Sequence, residues 1–127
     1  MIPPVERIIG ETGLSEVDGK VQLDIRLPWY RSLPLSTVEI AAVEIDGNAI
    51  PLDKIQIQLS DEAFSLEEAK ERRDRFWYVL DSAYLVLPDM GLERGTQHDV
   101  TCTLCIYPPY IAGLKRANTM TQTLIVR

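Results

Sequence analysis

Histidine is almost absent from this chain: His98 is the only one in 127 residues, and there are just two cysteines, Cys102 and Cys105. Zinc centres and nucleophile–histidine catalysis draw on clusters of these residues. No H-E-x-x-H, P-loop or G-x-S-x-G motif is present either. Positive charge is also scarce. Thirteen Lys and Arg face nineteen Asp and Glu, a net charge of -6. Phosphate backbones call for clustered cations, so no nucleic-acid partner is expected. No apolar run approaches the roughly 18 residues of a membrane span. The start, Met1-Ile2-Pro3-Pro4-Val5-Glu6, lacks the basic and apolar regions of a signal peptide, which points to the cytoplasm.

The two cysteines form a C-x-x-C only formally. They lie in a run that alternates like a strand, where neighbours three apart point to opposite faces. No second pair completes a metal site. Both are read as small buried or half-buried residues. His98, beside Thr96, Gln97 and Asp99, has the chemistry of an acid or base. A lone histidine at a strand mouth is more often a structural or interface residue. No catalytic residue and no metal ligand is therefore expected in this chain.

What is present describes one domain spanning residues 1–127, with a core large enough to need no covalent staple. Residues 1–16 are expected to form an N-terminal arm or an edge strand, carrying the apolar patch Val5, Ile8 and Ile9. Val21, Leu23, Ile25 and Leu27 alternate with Gln22, Asp24 and Arg26, a strand with one wet face. Leu35 to Ile45 is rich in Val and Ile and ends at Asp46-Gly47-Asn48, a strong hairpin turn. Ile55, Ile57 and Leu59 alternate again. Ser65-Leu66-Glu67-Glu68 fits a capping box, and a short solvated helix is expected from Leu66 to Arg75. Phe76 to Leu87 has almost no polar face and reads as one central strand, in which Asp81 must be paired or at a bend. His98, Val100, Cys102, Leu104 and Ile106 share a strand face, and Asn118 to Arg127 is a last, Thr-rich strand. About seven strands with frequent turn signals predict a mainly β fold, an antiparallel β-sandwich with one short α-helix.

The stretch Leu27-Pro28-Trp29-Tyr30-Arg31-Ser32-Leu33-Pro34 stands apart. Its prolines end strands, so Trp29, Tyr30 and Arg31 sit on a connection. Trp, Tyr and Arg are the types most enriched at binding hot spots. The alternative is a buried corner in which Trp29 and Tyr30 cap the core, the commoner fate of aromatics in small domains.

Leu27 to Leu35, Ile45-Asp46-Gly47, Trp77-Tyr78-Val79-Leu80-Asp81, Leu92 to Val100 and Tyr107-Pro108-Pro109-Tyr110-Ile111 follow one another in an order and spacing that resemble the small β subunit of bacterial C-glycoside deglycosidases. The similarity spans roughly residues 20–111. Each motif alone is weakly specific. The resemblance implies a sandwich-like subunit bound to a larger α subunit with a TIM-barrel fold. That partner would hold a divalent metal, typically manganese, and the main acid–base groups. This chain would hold no cofactor. The complex would act as a carbon–carbon lyase, splitting a 3-oxo sugar from an aromatic aglycone such as a flavonoid. On this reading Trp29, Tyr30, Arg31, His98 and Tyr110 face the partner or the substrate. A stand-alone module for carbohydrate or aromatic ligands, or a purely structural subunit, is the competing expectation.

Overall fold

A computed structural model describes residues 7–127. Eleven strands are present among the described residues: β1 (Ile9–Val17), β2 (Lys20–Ile25), β3 (Leu33–Pro34), β4 (Val38–Ile45), β5 (Asn48–Ala49), β6 (Gln56–Gln58), β7 (Ala63–Ser65), β8 (Phe76–Trp77), β9 (Ala83–Val86), β10 (Gln97–Ile106) and β11 (Arg116–Ile125). One helix, α1 (Leu66–Lys70), interrupts them. The strands form a five-stranded sheet ordered β1-β2-β9-β6-β7, a four-stranded sheet ordered β11-β10-β4-β5, and the small pair β3-β8. All the paired strands run antiparallel. The inner residues of the two larger sheets, among them Leu23, Ile25, Ile57 and Leu85 on one and Val43, Val100, Leu104 and Ile106 on the other, share one hydrophobic core. The expected mainly β sandwich with one short helix is therefore the fold.

The expected edge strand is β1; Val5 of its apolar patch lies outside the described residues. The hairpin at Asp46-Gly47 forms as expected. Both residues have positive φ, 53° and 81°, the geometry in which a two-residue turn matches strand twist. Both cysteines are buried and free, and burial pushes the Cys102 thiol up to about 12. Across from them, the register of β4 slips by one residue between the pairs Thr103–Ala42 and Leu104–Ile40. That bulge resets the alternation of β4, so Val38 and Ile40 face the core before it and Val43 and Ile45 after it.

Three expectations need correction. Asp24 does not lie on a wet face; it is only 3% exposed. The β1–β2 register is irregular between Ile9 and Leu14, and the Asp24 carboxylate is held there. Its Oδ2 accepts from the Thr12 N–H at 3.1 Å and the Thr12 hydroxyl at 2.7 Å. Gly10 packs so closely that an added Cβ would sit 2.3 Å from the carboxyl carbon.

The helix stops at Lys70 instead of running to Arg75. Its capping box is present, with Glu68 N–H on Ser65 Oγ and Ser65 N–H on Glu68 Oε1, both at 3.0 Å. Beyond Ala69, however, no apolar residue continues the buried stripe. The carbonyls of Arg72 and Arg75 are instead taken by the N–H groups of Ser36 and Leu35.

Phe76 to Leu87 is not one strand. Trp77 pairs with Leu33 in the small β3-β8 unit, whereas β9 lies between β2 and β6 in the larger sheet. Residues 78–82 turn between them, and Asp81 is exposed at that bend.

Candidate functional site

Residues 26–32 connect β2 to β3, and Pro28 lies within this connection. Pro34, expected to end a strand beside it, is a paired residue of β3, and the strand pair β3-β8 anchors the connection on the Leu33–Trp77 register. Pro108 and Pro109 follow the end of β10 and open the connection to β11. The two loops meet. Trp29 Nε1–H donates to the Tyr110 hydroxyl oxygen at 2.5 Å. The Trp29 and Tyr30 ring centroids are 4.9 Å apart at a 40° tilt. The Arg31 guanidinium carbon stands 5.0 Å from the centre of the Tyr110 ring, and that of Arg116 stands 5.8 Å from Trp29. Both distances suit cation–π attraction.

Four of the five predicted site residues are thus brought together, but not equally exposed. Trp29 is 8% exposed and belongs to the core, the buried corner that was the alternative expectation. Tyr30, Arg31 and Tyr110 are at the surface. Trp29 therefore lies beneath the surface residues and is bonded to Tyr110. The indole can only donate, so the Tyr110 oxygen is an acceptor in this bond and keeps its own proton for another group. Partial burial pushes the Tyr110 hydroxyl up, but the donors Trp29 and Tyr30 and the charge of Arg31 outweigh it, and the net shift is below the ordinary tyrosine value. Tyr30 moves the opposite way, chiefly through its hydrogen bond to Tyr110.

His98 is elsewhere. It enters β10 at the end opposite Tyr107 and Tyr110, and at about 3.3 Å per residue His98 and Ile106 are separated by roughly 26 Å. Its Nδ1 lies 2.7 Å from Asp46 Oδ2 and its Nε2 2.8 Å from Thr96 Oγ1. Asp46 Oδ1 also accepts the Asp99 N–H at 2.9 Å. The hydrogen bond to His98, then that from Asp99, holds the Asp46 carboxyl below its usual range. This array fastens the β4–β5 turn to the start of β10.

The apolar cavity of about 290 Å3 beneath α1, lined by Leu35, Val38, Ile40, Leu52, Ile57 and Ala69 among others, contains none of the predicted residues. No group of three or more His, Cys, Asp and Glu suited to a metal occurs among the described residues. No helix of the described residues is long and apolar enough to cross a membrane. Sequence reasoning missed one feature of this end of the molecule. Tyr78 and Leu80 project from the turn after β8, 64% and 84% exposed. Their hydrophobicity read as core, and only Asp81-Ser82, a turn-forming pair, signalled otherwise.

Comparison with known proteins bears on what such a surface serves. Residues 6–110 match the family described as C-glycoside deglycosidase beta subunit. The chain is 39% identical to the 3'-dehydrocarminate deglycosidase beta subunit of a Microbacterium species, over 93% of this chain and 89% of that one. It is 38% identical to a C-glycoside deglycosidase beta subunit of Microbacterium trichothecenolyticum, covering 87% and 82% of the two chains. A third relative, from Arthrobacter globiformis, is 35% identical over 84% and 81%. The extent of these matches, across both sheets and the aromatic end, makes this chain a member of the C-glycoside deglycosidase beta subunit family.

Proposed function

We propose that this chain is the accessory subunit of a complex that cleaves the carbon–carbon bond between a 3-oxo sugar and an aromatic aglycone, and that its Tyr30–Arg31–Tyr110 surface completes the aglycone side of a site on a TIM-barrel α subunit. The 3-oxo group acidifies the neighbouring sugar C2 proton. Loss of that proton forms the C1–C2 double bond of the sugar as the C1–aglycone bond breaks, and the aglycone carbon takes up a proton. A divalent metal such as manganese would stabilise the enolate by withdrawing charge from the carbonyl. Its ligands would belong to the α subunit; among the described residues of this chain no group of three or more His, Cys, Asp and Glu is placed to hold a metal. The part left to this chain is to present flat aromatic faces and to exclude water.

One observation carries this reading: Tyr30, Arg31 and Tyr110 are exposed together over a buried tryptophan. The test is reconstitution. The purified chain should show no turnover of a 3-oxo C-glycoside, and addition of the cognate α subunit should restore it. Turnover by the chain alone, with α subunit and metal excluded, or equal turnover by the α subunit alone, would overturn the proposal.

A further inference from the structure

A connecting turn is ordinarily built from Gly, Asn, Asp or Ser. The turn at residues 78–82 instead begins Tyr78-Val79-Leu80, and its two outer side chains are the most exposed large apolar groups among the described residues. Single surface leucines are commonplace, but this one is presented by an unusually well-fastened backbone. The Trp77 indole N–H donates to the Asp81 carbonyl at 2.9 Å. The Val79 N–H donates to Ser32 Oγ at 2.9 Å, and the Val79 carbonyl accepts from Arg26 at 3.2 Å. The Asp81 N–H closes the turn on the Tyr78 carbonyl at 2.9 Å. Trp77 itself is 1% exposed, so the knob stands on the core.

The Ser32 bond places this knob directly beside Arg31, and hence beside Tyr30 and Tyr110. No carboxylate among the described residues forms an ion pair with Arg31. The combined surface offers two apolar tips and one cation that meets no carboxylate among the described residues. We infer that the Tyr78–Leu80 knob is the anchor by which this subunit docks on its α subunit, entering an apolar socket there with an acidic residue set to meet Arg31. The inference rests on the α-subunit reading above. A knob held in its bound shape loses little conformational entropy on docking, the condition under which a small number of side chains dominates affinity.

The test titrates separately purified cognate α subunit into the wild-type chain, into Tyr78→Ser/Leu80→Ser and Leu80→Asp variants, and into Ile125→Ser. Ile125 is 54% exposed and lies at the opposite end of the β10–β11 pair, so it controls for loss of an exposed apolar group. Thermal melting of each variant alone establishes that it folds. Both knob variants should weaken binding at least about thirtyfold, the threshold of a hot spot. Ile125→Ser should bind as the wild type does. Wild-type affinity retained in the knob variants, or an equal loss in Ile125→Ser, overturns the inference while leaving the complex intact. A wild-type chain that does not bind the α subunit at all overturns the α-subunit reading itself.

Discussion

Trp29 and Tyr30 are neighbours in sequence and differ in almost every physical respect: one is core, the other surface. Substitutions there should separate accordingly. Trp29→Ala removes a large buried ring and should cost about 3–5 kcal/mol of stability, measured by denaturant unfolding. Tyr30→Ala and Arg31→Ala should melt like the wild type but weaken assembly with the α subunit or raise KM in the reconstituted assay. A melting loss in Arg31→Ala with unchanged affinity would place its role in the fold alone. Trp29→Phe keeps a ring and removes the indole donor. Since that donor helps hold the Tyr110 hydroxyl below its ordinary value, the Tyr110 phenolate should then form at higher pH, read from its ultraviolet absorbance. The division between these two aromatics was not legible beforehand. Periodicity assigns faces only inside a regular element, and residues 29–32 are a connection.

Elements with a strong local signal were legible for the same reason in reverse. The Asp46-Gly47 turn and the Ser65–Glu68 capping box depend on backbone conformation and on partners two or three residues away, and both formed. Ser65→Ala should accordingly cost about 1 kcal/mol, the usual worth of an N-cap. The failures all involve distant partners. Residues 76–87 are uniformly apolar, so a turn in their midst left little trace; it exists because Trp77 pairs with Leu33 while Ala83 to Val86 pair with β2 and β6. Asp24 looked solvent-facing because alternation predicts a face and not what covers it. The segment that covers it requires a glycine, so Gly10→Ala should drive a methyl group into the Asp24 carboxylate and lower the melting temperature markedly. An equal melting temperature would show that the segment can shift away. Of the candidate site, the residue types could be anticipated; the meeting of the loops carrying Trp29 and Tyr110 could not, since it joins residues 81 positions apart. The separate position of His98 follows from the length of β10, which the alternation from His98 to Ile106 already carried.

Across the whole molecule, the carboxylates with depressed values set the response to acid. Asp74, paired with Arg72, lies near about 2, and Glu68 and Asp46 are lowered by their hydrogen bonds to Ser65 and His98 respectively. A depressed folded-state value means stability present above the unfolded value and lost as pH falls through the folded one. The melting temperature should therefore decline from about pH 4 towards pH 2, and Asp74→Asn should flatten the lower part of that decline. A melting temperature constant across this window would contradict the assigned pairings.

The two ends of the sandwich differ in kind. One end carries the Asp46–His98 clamp and the β1–β2 hairpin, with Val17 and Ile125 as its exposed apolar groups. The other carries Tyr30, Arg31, Tyr78, Leu80 and Tyr110, with apolar area facing outward. If that area is what the α subunit covers, amide exchange should change at one end only. Complex formation should slow exchange in residues 29–33, 77–82 and 107–113. It should leave residues 16–20 and 93–99 at their free rates, because their hydrogen bonds are already closed within the chain. Protection spread evenly over both ends would mean general stabilisation on binding. Protection confined to residues 93–99 would instead place the partner at His98.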